Sequence, residues 1–313
     1  QAITQELDFH IERKNTETAA AALSELAPRV VVPSTIPELC SSRVFATTFK
    51  DKLTRVDDVL KLAERQIDPI VLGSLIADAF ARLPLIHGLV HGDPHAGNVY
   101  GRPDGSVAHG VQLVILDHGL YHHLKQDERL AICDLVLACA SPWPSRSKVC
   151  KLGEHFAGPL WKIFPLLLSP CFALATPLSL QELHAASRGQ LPKTITLEKV
   201  WKTLEEMQKG PSSLLGLLHS LGYVRGLLSS LGYAEEQRVK ALVRAAAAVR
   251  YTSFARIRLH FALFKVTLLF KLLRIFSVVL PHRAAATAIT TTLIMIVAVS
   301  VAFYCDVGYF ITA

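Results

Sequence analysis

The chain has 313 residues, enough for one large domain or two modest ones. Its 51% apolar and 19% charged residues and mean hydropathy of +0.34 exclude intrinsic disorder and collagen-like repeats, and they ask for a segment that meets lipid. The net charge of +7 comes from 33 Lys and Arg spread along the chain, without a basic run interleaved with aromatics, so nucleic acid is not an expected partner.

Cys40, Cys133, Cys139, Cys150, Cys171 and Cys305 form neither a CxxC pair nor a regular framework. Structural zinc and a disulfide scaffold therefore lack support, and a reducing compartment fits best. The sequence opens on Gln1, in what reads as the middle of a helix, which marks it as a fragment or processed product of a longer chain.

A helix is expected over 1–26, ended by Pro28, followed by short strands at 30–32 and 44–45. A second helix starts at the N-cap Asp68 and runs to Leu83, where Pro84 should interrupt it. The chain then reaches an irregular loop at 91–98 and a hairpin with strands from Val99 and over 112–116. Beyond Leu120 the periodicity predicts helices over 126–140, 152–168, 179–188, 196–208, 212–221, 235–250 and 254–280. The last of these has imperfect amphipathicity and reads as a core helix, an interfacial helix or a second span. Residues 284–304 are uncharged, long enough to cross a bilayer, and bracketed by Arg283 and Asp306. Lys265, Lys271, Arg274 and Arg283 precede this expected transmembrane helix and place the bulk of the chain on the cytosolic or matrix-like side.

The chemistry concentrates in 91–119, HGDPHAGNVYGRPDGSVAHGVQLVILDHG. Gly92, Pro94 and Gly97 forbid a helix through HGDPHAGN, so His91 and His95 cannot share a helical zinc-binding face. A Ser-His-Asp hydrolase is disfavoured because there is no GxSxG elbow. An antiparallel hairpin sets Asn98, just before its first strand, beside Asp117, just after its second. An amide oxygen and a carboxylate converging there suit Mg²⁺, which keeps its other positions for water and phosphate oxygens. Asp93, five residues before Asn98, is placed to accept a hydroxyl proton or orient a nucleophile, so Asp93, Asn98 and Asp117 are the candidate catalytic set for phosphoryl transfer. His91 is expected to brace the loop, with His95 and His118 lining it.

With these residues in view, the chain resembles the aarF-domain (UbiB-type) atypical kinase family. His91, Asp93, Pro94, His95, Gly97 and Asn98 match its H-x-D-P-H-P-G-N loop, with Ala96 in place of a proline. Asp117 matches the metal aspartate, and residues 116–121, LDHGLY, are similar to the eukaryotic aarF-domain-containing kinases. Residues 5–9, QELDF, with Glu12 and Asn15, resemble the family's Q-E-L-D-F-x-x-E-x-x-N helix, which implies that Glu6 or Glu12 pairs with the nucleotide-binding lysine.

The resemblance, which covers about residues 1–250, implies an α+β, protein-kinase-like fold with a predominantly helical C-lobe and an incomplete N-lobe, to which the uncharged run at 284–304 adds the expected C-terminal transmembrane helix. Residues 1–50 would be the N-lobe remnant, 51–253 the C-lobe and 254–313 the membrane-associated region. It also implies Mg·ATP as cofactor, with Glu6, Glu12, Asn98 and Asp117 around nucleotide and metal. Membrane lipid and a prenyl-quinone or lipid ligand are the implied partners, and a mitochondrial membrane the implied location. The family's K-x-G-Q helices, nucleotide loop and strand lysine precede the point where this sequence begins, and Thr48 stands where its hinge carries glutamate. Two readings follow: a membrane-anchored kinase or ATPase, inactive as this fragment alone, and a pseudokinase that binds lipid or protein.

Overall fold

The computed structural model describes residues 8–141, 145–158, 164–169 and 212–251, with single positions at 172 and 175 and helical positions between 259 and 271. The chain divides into two compact units, Gln1–Leu130 with Ser220–Arg250, and Ala131–His219 with Tyr251–Ala313. Among the described residues the structure is mixed α/β with helices predominating.

The first unit begins with helix α1 (Phe9–Ala22), whose N-cap Asp8 accepts from the His10 N–H. Strand β1 (Val30–Val31) follows. A small meander brings Thr35 opposite Thr47, then come β2 (Thr54–Arg55) and the short helix α2 (Val59–Glu64). Helix α3 (Pro69–His87) is the spine of the unit. Asp68 caps it by accepting from the Ile70 and Val71 N–H groups, and Pro69 occupies the first turn, where its missing N–H costs nothing. Leu72, Leu75, Ile76 and Leu83 are buried along it. By length and composition α3 could cross a membrane, yet most of its apolar window lies inside the protein, as expected of a core helix.

Three strands beyond α3 shape the site: β3 (Leu89–His91), β4 (Val99–Pro103) and β5 (Val111–Ile115), with β6 (Tyr121–His123) pairing back to β3. The four-stranded sheet has the order β1-β5-β4-β2, in which β1 runs parallel to β5 and the other pairs are antiparallel. All five residues of β5 are buried. Its one polar side chain, Gln112, donates to the Pro28 carbonyl at 2.6 Å, so the buried amide is not left unpaired. Helix α8 (Glu235–Arg250) closes the unit against α3, with the small residues Ala241, Ala245 and Ala246 buried. Close approach is needed there: a Cβ on Gly73 would stand 2.7 Å from the Tyr233 ring.

In the second unit, the buried end of α4 (Gln126–Ala140) is joined to α5 (Arg146–Ala157) by the Lys148–Asp134 ion pair at 3.8 Å. Short helix α6 (Phe164–Leu168) stacks Phe164 on Phe156 with ring centroids 5.5 Å apart. Helix α7 covers Ser212–Ser230.

Several sequence expectations need correction. Pro84 does not stop α3; the helix continues to His87, where Gly88 at φ 71° ends it and the Arg129 guanidinium donates to the Leu85 and Ile86 carbonyls. The expected strand at 44–45 does not form; it is irregular backbone following a bend at 42–43, where the Ser41 hydroxyl accepts from the Arg43 and Val44 N–H groups. The expected helix 152–168 is two helices broken at Gly158, whose φ of 45° no helix accommodates. In the other direction, α7 passes through Gly222 and Gly226 to Ser230, nine residues beyond its expected end at 221. Residues 1–7, the helices at 179–188 and 196–208, most of 254–280, and the span at 284–304 lie outside the described residues.

Candidate active site

Two antiparallel ladders clamp the polar loops between them. On one side His91 of β3 lies opposite Tyr121 of β6, and the Gly92 N–H donates to the Leu120 carbonyl at 2.9 Å. On the other, Val99 of β4 lies opposite Ile115 of β5, and the Leu116 N–H donates to the Asn98 carbonyl at 3.0 Å. The loop 93–97 is thereby held opposite 117–119. Asp93, Asn98 and Asp117 thus come to one end of the hairpin, with Asp117 one residue beyond the position directly across from Asn98.

Inside the loop, the Asn98 N–H donates to the His95 carbonyl at 2.9 Å, and the Asn98 amide Nδ2 donates to the Asp93 carbonyl at 3.0 Å. Only 7% of Asn98 is exposed, and with Nδ2 committed the amide oxygen Oδ1 is its remaining acceptor. Asp93 and His95 are half exposed, with Asp93 Oδ2 at 3.5 Å from His95 Nε2. Gly92 has no room for a side chain, since a Cβ would stand 2.5 Å from the Leu120 Cγ.

Asp117 is exposed, and its Oδ1 accepts from the Gly119 N–H at 2.8 Å, which closes a tight turn over D-H-G. His118, the residue between, is 0% exposed. Its Nε2–H donates to the Ile115 carbonyl at 3.2 Å and its Nδ1 accepts from the Tyr121 hydroxyl at 3.0 Å, which fixes the neutral tautomer. Burial pushes its pKa down to about 4. His91, 2% exposed, packs its ring 5.1 Å from Tyr121 and 5.9 Å from His118. Its Nδ1 accepts from the Asp93 N–H at 3.2 Å, and the Asp117 backbone interacts with its ring. Burial, followed by the nearby His118, drives its pKa to about 3. Burial and the Asp117 charge raise the Tyr121 hydroxyl. The loop ends therefore rest on a buried His–His–Tyr cluster with no formal charge.

Helix α1 reaches this turn from about a hundred residues away in sequence. The Asn15 amide donates to the His118 carbonyl at 3.0 Å and to that of Gly119 at 3.4 Å. Glu12, one turn earlier, has its pKa raised by burial and by the Asp117 charge, while a hydrogen bond from the His118 backbone N–H partly counters this. Of the two glutamates singled out in the sequence, Glu12 is thus beside the metal-loop candidate, and Glu6 lies outside the described residues. Sequence reading missed the anchoring by Asn15 and the His118–Tyr121 pair. Glu12 and Asn15, three apart, signalled one shared helical face but not what that face meets.

Among the described residues no three His, Cys, Asp or Glu side chains gather into a metal cluster. The donor set that Asn98 and Asp117 provide, one amide oxygen and one carboxylate, is the sparse hard-oxygen set that suits Mg²⁺ when phosphate oxygens and water complete its shell.

The family model described as ABC1 atypical kinase-like domain matches residues 1–145. A putative ABC1 protein of Arabidopsis thaliana is 34% identical over 145 residues, which is 43% of this chain and 27% of the relative. A probable serine/threonine-protein kinase of Dictyostelium discoideum, abkD, is 26% identical over 239 residues, 74% of this chain and 32% of the relative. An AarF domain-containing protein kinase 1 of Xenopus laevis is 27% identical over 240 residues, 72% of this chain and 43% of the relative. The matched stretches span less than half the length of these relatives.

Proposed function

We propose that the protein is an aarF/UbiB-type phosphotransferase, a kinase or ATPase that uses Mg·ATP, a reading supported by the match of residues 1–145 to the ABC1 atypical kinase-like domain. The observation that carries this reading is the clamped pairing of 91–99 with 115–121, which brings Asp93, Asn98 and Asp117 to one end of the hairpin. In this reading Asn98 Oδ1 and Asp117 hold the cation, and Asp93 orients the acceptor hydroxyl or water and takes its proton. The cation, when bound, neutralises charge on the transferring phosphate. Asn15 and the His118–Tyr121 pair keep Asp117 in place, and Glu12 keeps its carboxyl beside it.

The test is nucleotide-induced thermal stabilisation of the full-length protein. ATP should raise Tm in the presence of Mg²⁺ and not with a chelator, and Asp117→Asn should abolish the shift. An undiminished shift in Asp117→Asn overturns the reading.

A second reading is a pseudokinase that binds lipid or protein. It is favoured by Thr48: its N–H donates to the Ser34 carbonyl at 2.8 Å and its hydroxyl accepts from the Ser34 N–H at 3.2 Å, so this hinge position is consumed internally. Under it, Asp93→Asn would leave cellular function intact.

The proposal extends to the C-terminus. The stretch 284–304 anchors the protein in a membrane, mitochondrial by the family resemblance, with lipid or a prenyl-quinone as ligand. Deleting 284–304 should release the protein from alkaline-washed membranes, and retention after the deletion contradicts the anchor.

A further inference from the structure

The catalytic-loop candidate holds a histidine that the reading above does not use. The Gly97 N–H donates to His95 Nδ1 at 2.8 Å, so the neutral ring carries its proton on Nε2. That Nε2 faces Asp93 Oδ2 at 3.5 Å. The placement of the ring is built into the loop. A Cβ on residue 97 would stand 2.6 Å from His95 Cε1 and 2.8 Å from Nδ1, so glycine there makes room for the imidazole to fold back. Buried Pro94 fixes the backbone between Asp93 and His95, and the His95 carbonyl is tied to the Asn98 N–H at 2.9 Å. Backbone, ring and missing side chain all direct one N–H toward one carboxylate oxygen.

We propose that His95 is a positioning residue for Asp93: its Nε2–H engages Oδ2 and thereby presents Oδ1 to the phosphoryl acceptor. The inference rests on the phosphotransferase reading. The 3.5 Å separation shortens to a hydrogen bond when nucleotide and acceptor close the site, as catalytic contacts that are long in the free protein commonly do. A histidine in this role leaves metal and nucleotide binding alone and acts on turnover.

The experiment measures Mg·ATP turnover, with water as acceptor, in the full-length protein. His95→Leu removes the donor, and His95→Gln returns an N–H at the position of Nε2. His95→Leu should lower kcat by roughly 10–100-fold with KM for ATP within about twofold, and His95→Gln should recover kcat to within about fivefold of wild type. Gly97→Ala, which displaces the ring while keeping the imidazole, should reproduce the loss of kcat. Wild-type kcat in His95→Leu overturns the proposal, as does an equal loss in the Leu and Gln variants, which would mark a purely structural role. ATP-induced thermal stabilisation separates the two levels. If Mg·ATP stabilises wild type and not Asp117→Asn while His95→Leu turns over normally, the positioning role fails and the phosphotransferase reading stands. If wild type neither binds nor turns over Mg·ATP, both fall.

Discussion

His91 and His118 make the loop ends sensitive to acid, and His118→Phe exposes the effect. Both histidines are buried and neutral, with pKa values of about 3 and about 4 against 6.5 for a free imidazole. A folded-state pKa below the unfolded value means that the stability contributed is complete above about pH 6.5 and is lost as pH falls toward the folded values. Each histidine gives a slope approaching 1.4 kcal/mol per pH unit in that window, so the pair removes roughly 2–3 kcal/mol between about pH 6 and pH 5. Against a total stability of about 5–15 kcal/mol this is a large fraction.

Phenylalanine at 118 keeps a ring in the buried slot but leaves the Ile115 carbonyl and the Tyr121 hydroxyl without their partner. That should cost about 2 kcal/mol near pH 7. The variant no longer carries the second titrating group, however, and by about pH 5 wild type has itself lost about 2 kcal/mol through His118. Urea unfolding followed by far-UV circular dichroism, without metal or nucleotide, should therefore show two stability curves that converge near pH 5. Curves that stay parallel from pH 7 to pH 5 would refute the assignment of His118 as a buried neutral base.

Two further outcomes follow from the same geometry. Gly92→Ala forces a Cβ to within 2.5 Å of Leu120 Cγ and 3.2 Å of the Leu120 carbonyl. Thermal melting should show a loss of about 1–3 kcal/mol, because the backbone as well as the side chain must move. Asn15→Ala removes the amide that holds the His118 and Gly119 carbonyls. Titration calorimetry should show Mg·ATP binding weakened by roughly threefold to tenfold, about 1 kcal/mol, with fold retained.

The legible parts of the sequence were those governed by local rules. Asp68 announced the start of α3 as its N-cap, and helical periodicity announced α8 over the bounds the structure gives. The turn chemistry of 103–105 between two apolar runs announced the β4–β5 hairpin, and with it the convergence of Asn98 and Asp117. Errors arose where a local signal was overruled by packing. Pro84 is held inside α3 by the burial of Leu83 and Leu85 and by Arg129 on the following carbonyls, and the α7 glycines are carried by buried leucines on either side.

What the sequence hid was non-local. Strands β3 and β6 are three residues each, too short for an alternating pattern, and they exist only because they pair across the loop. The sequence separation of 103 residues between Asn15 and His118 puts their bond beyond any spacing argument. His118 looked like a loop histidine because nothing in D-H-G reveals a side chain at 0% exposure.

The most direct test of the central claim separates binding from turnover in the full-length protein. Equilibrium Mg·ATP binding and ATP turnover are measured in parallel for wild type, Asp93→Asn and Asp117→Asn. The account predicts that Asp93→Asn binds Mg·ATP within about threefold of wild type but loses turnover by at least roughly 100-fold, whereas Asp117→Asn loses both. Turnover that survives in Asp93→Asn, or Mg-dependent binding that survives in Asp117→Asn, would contradict it.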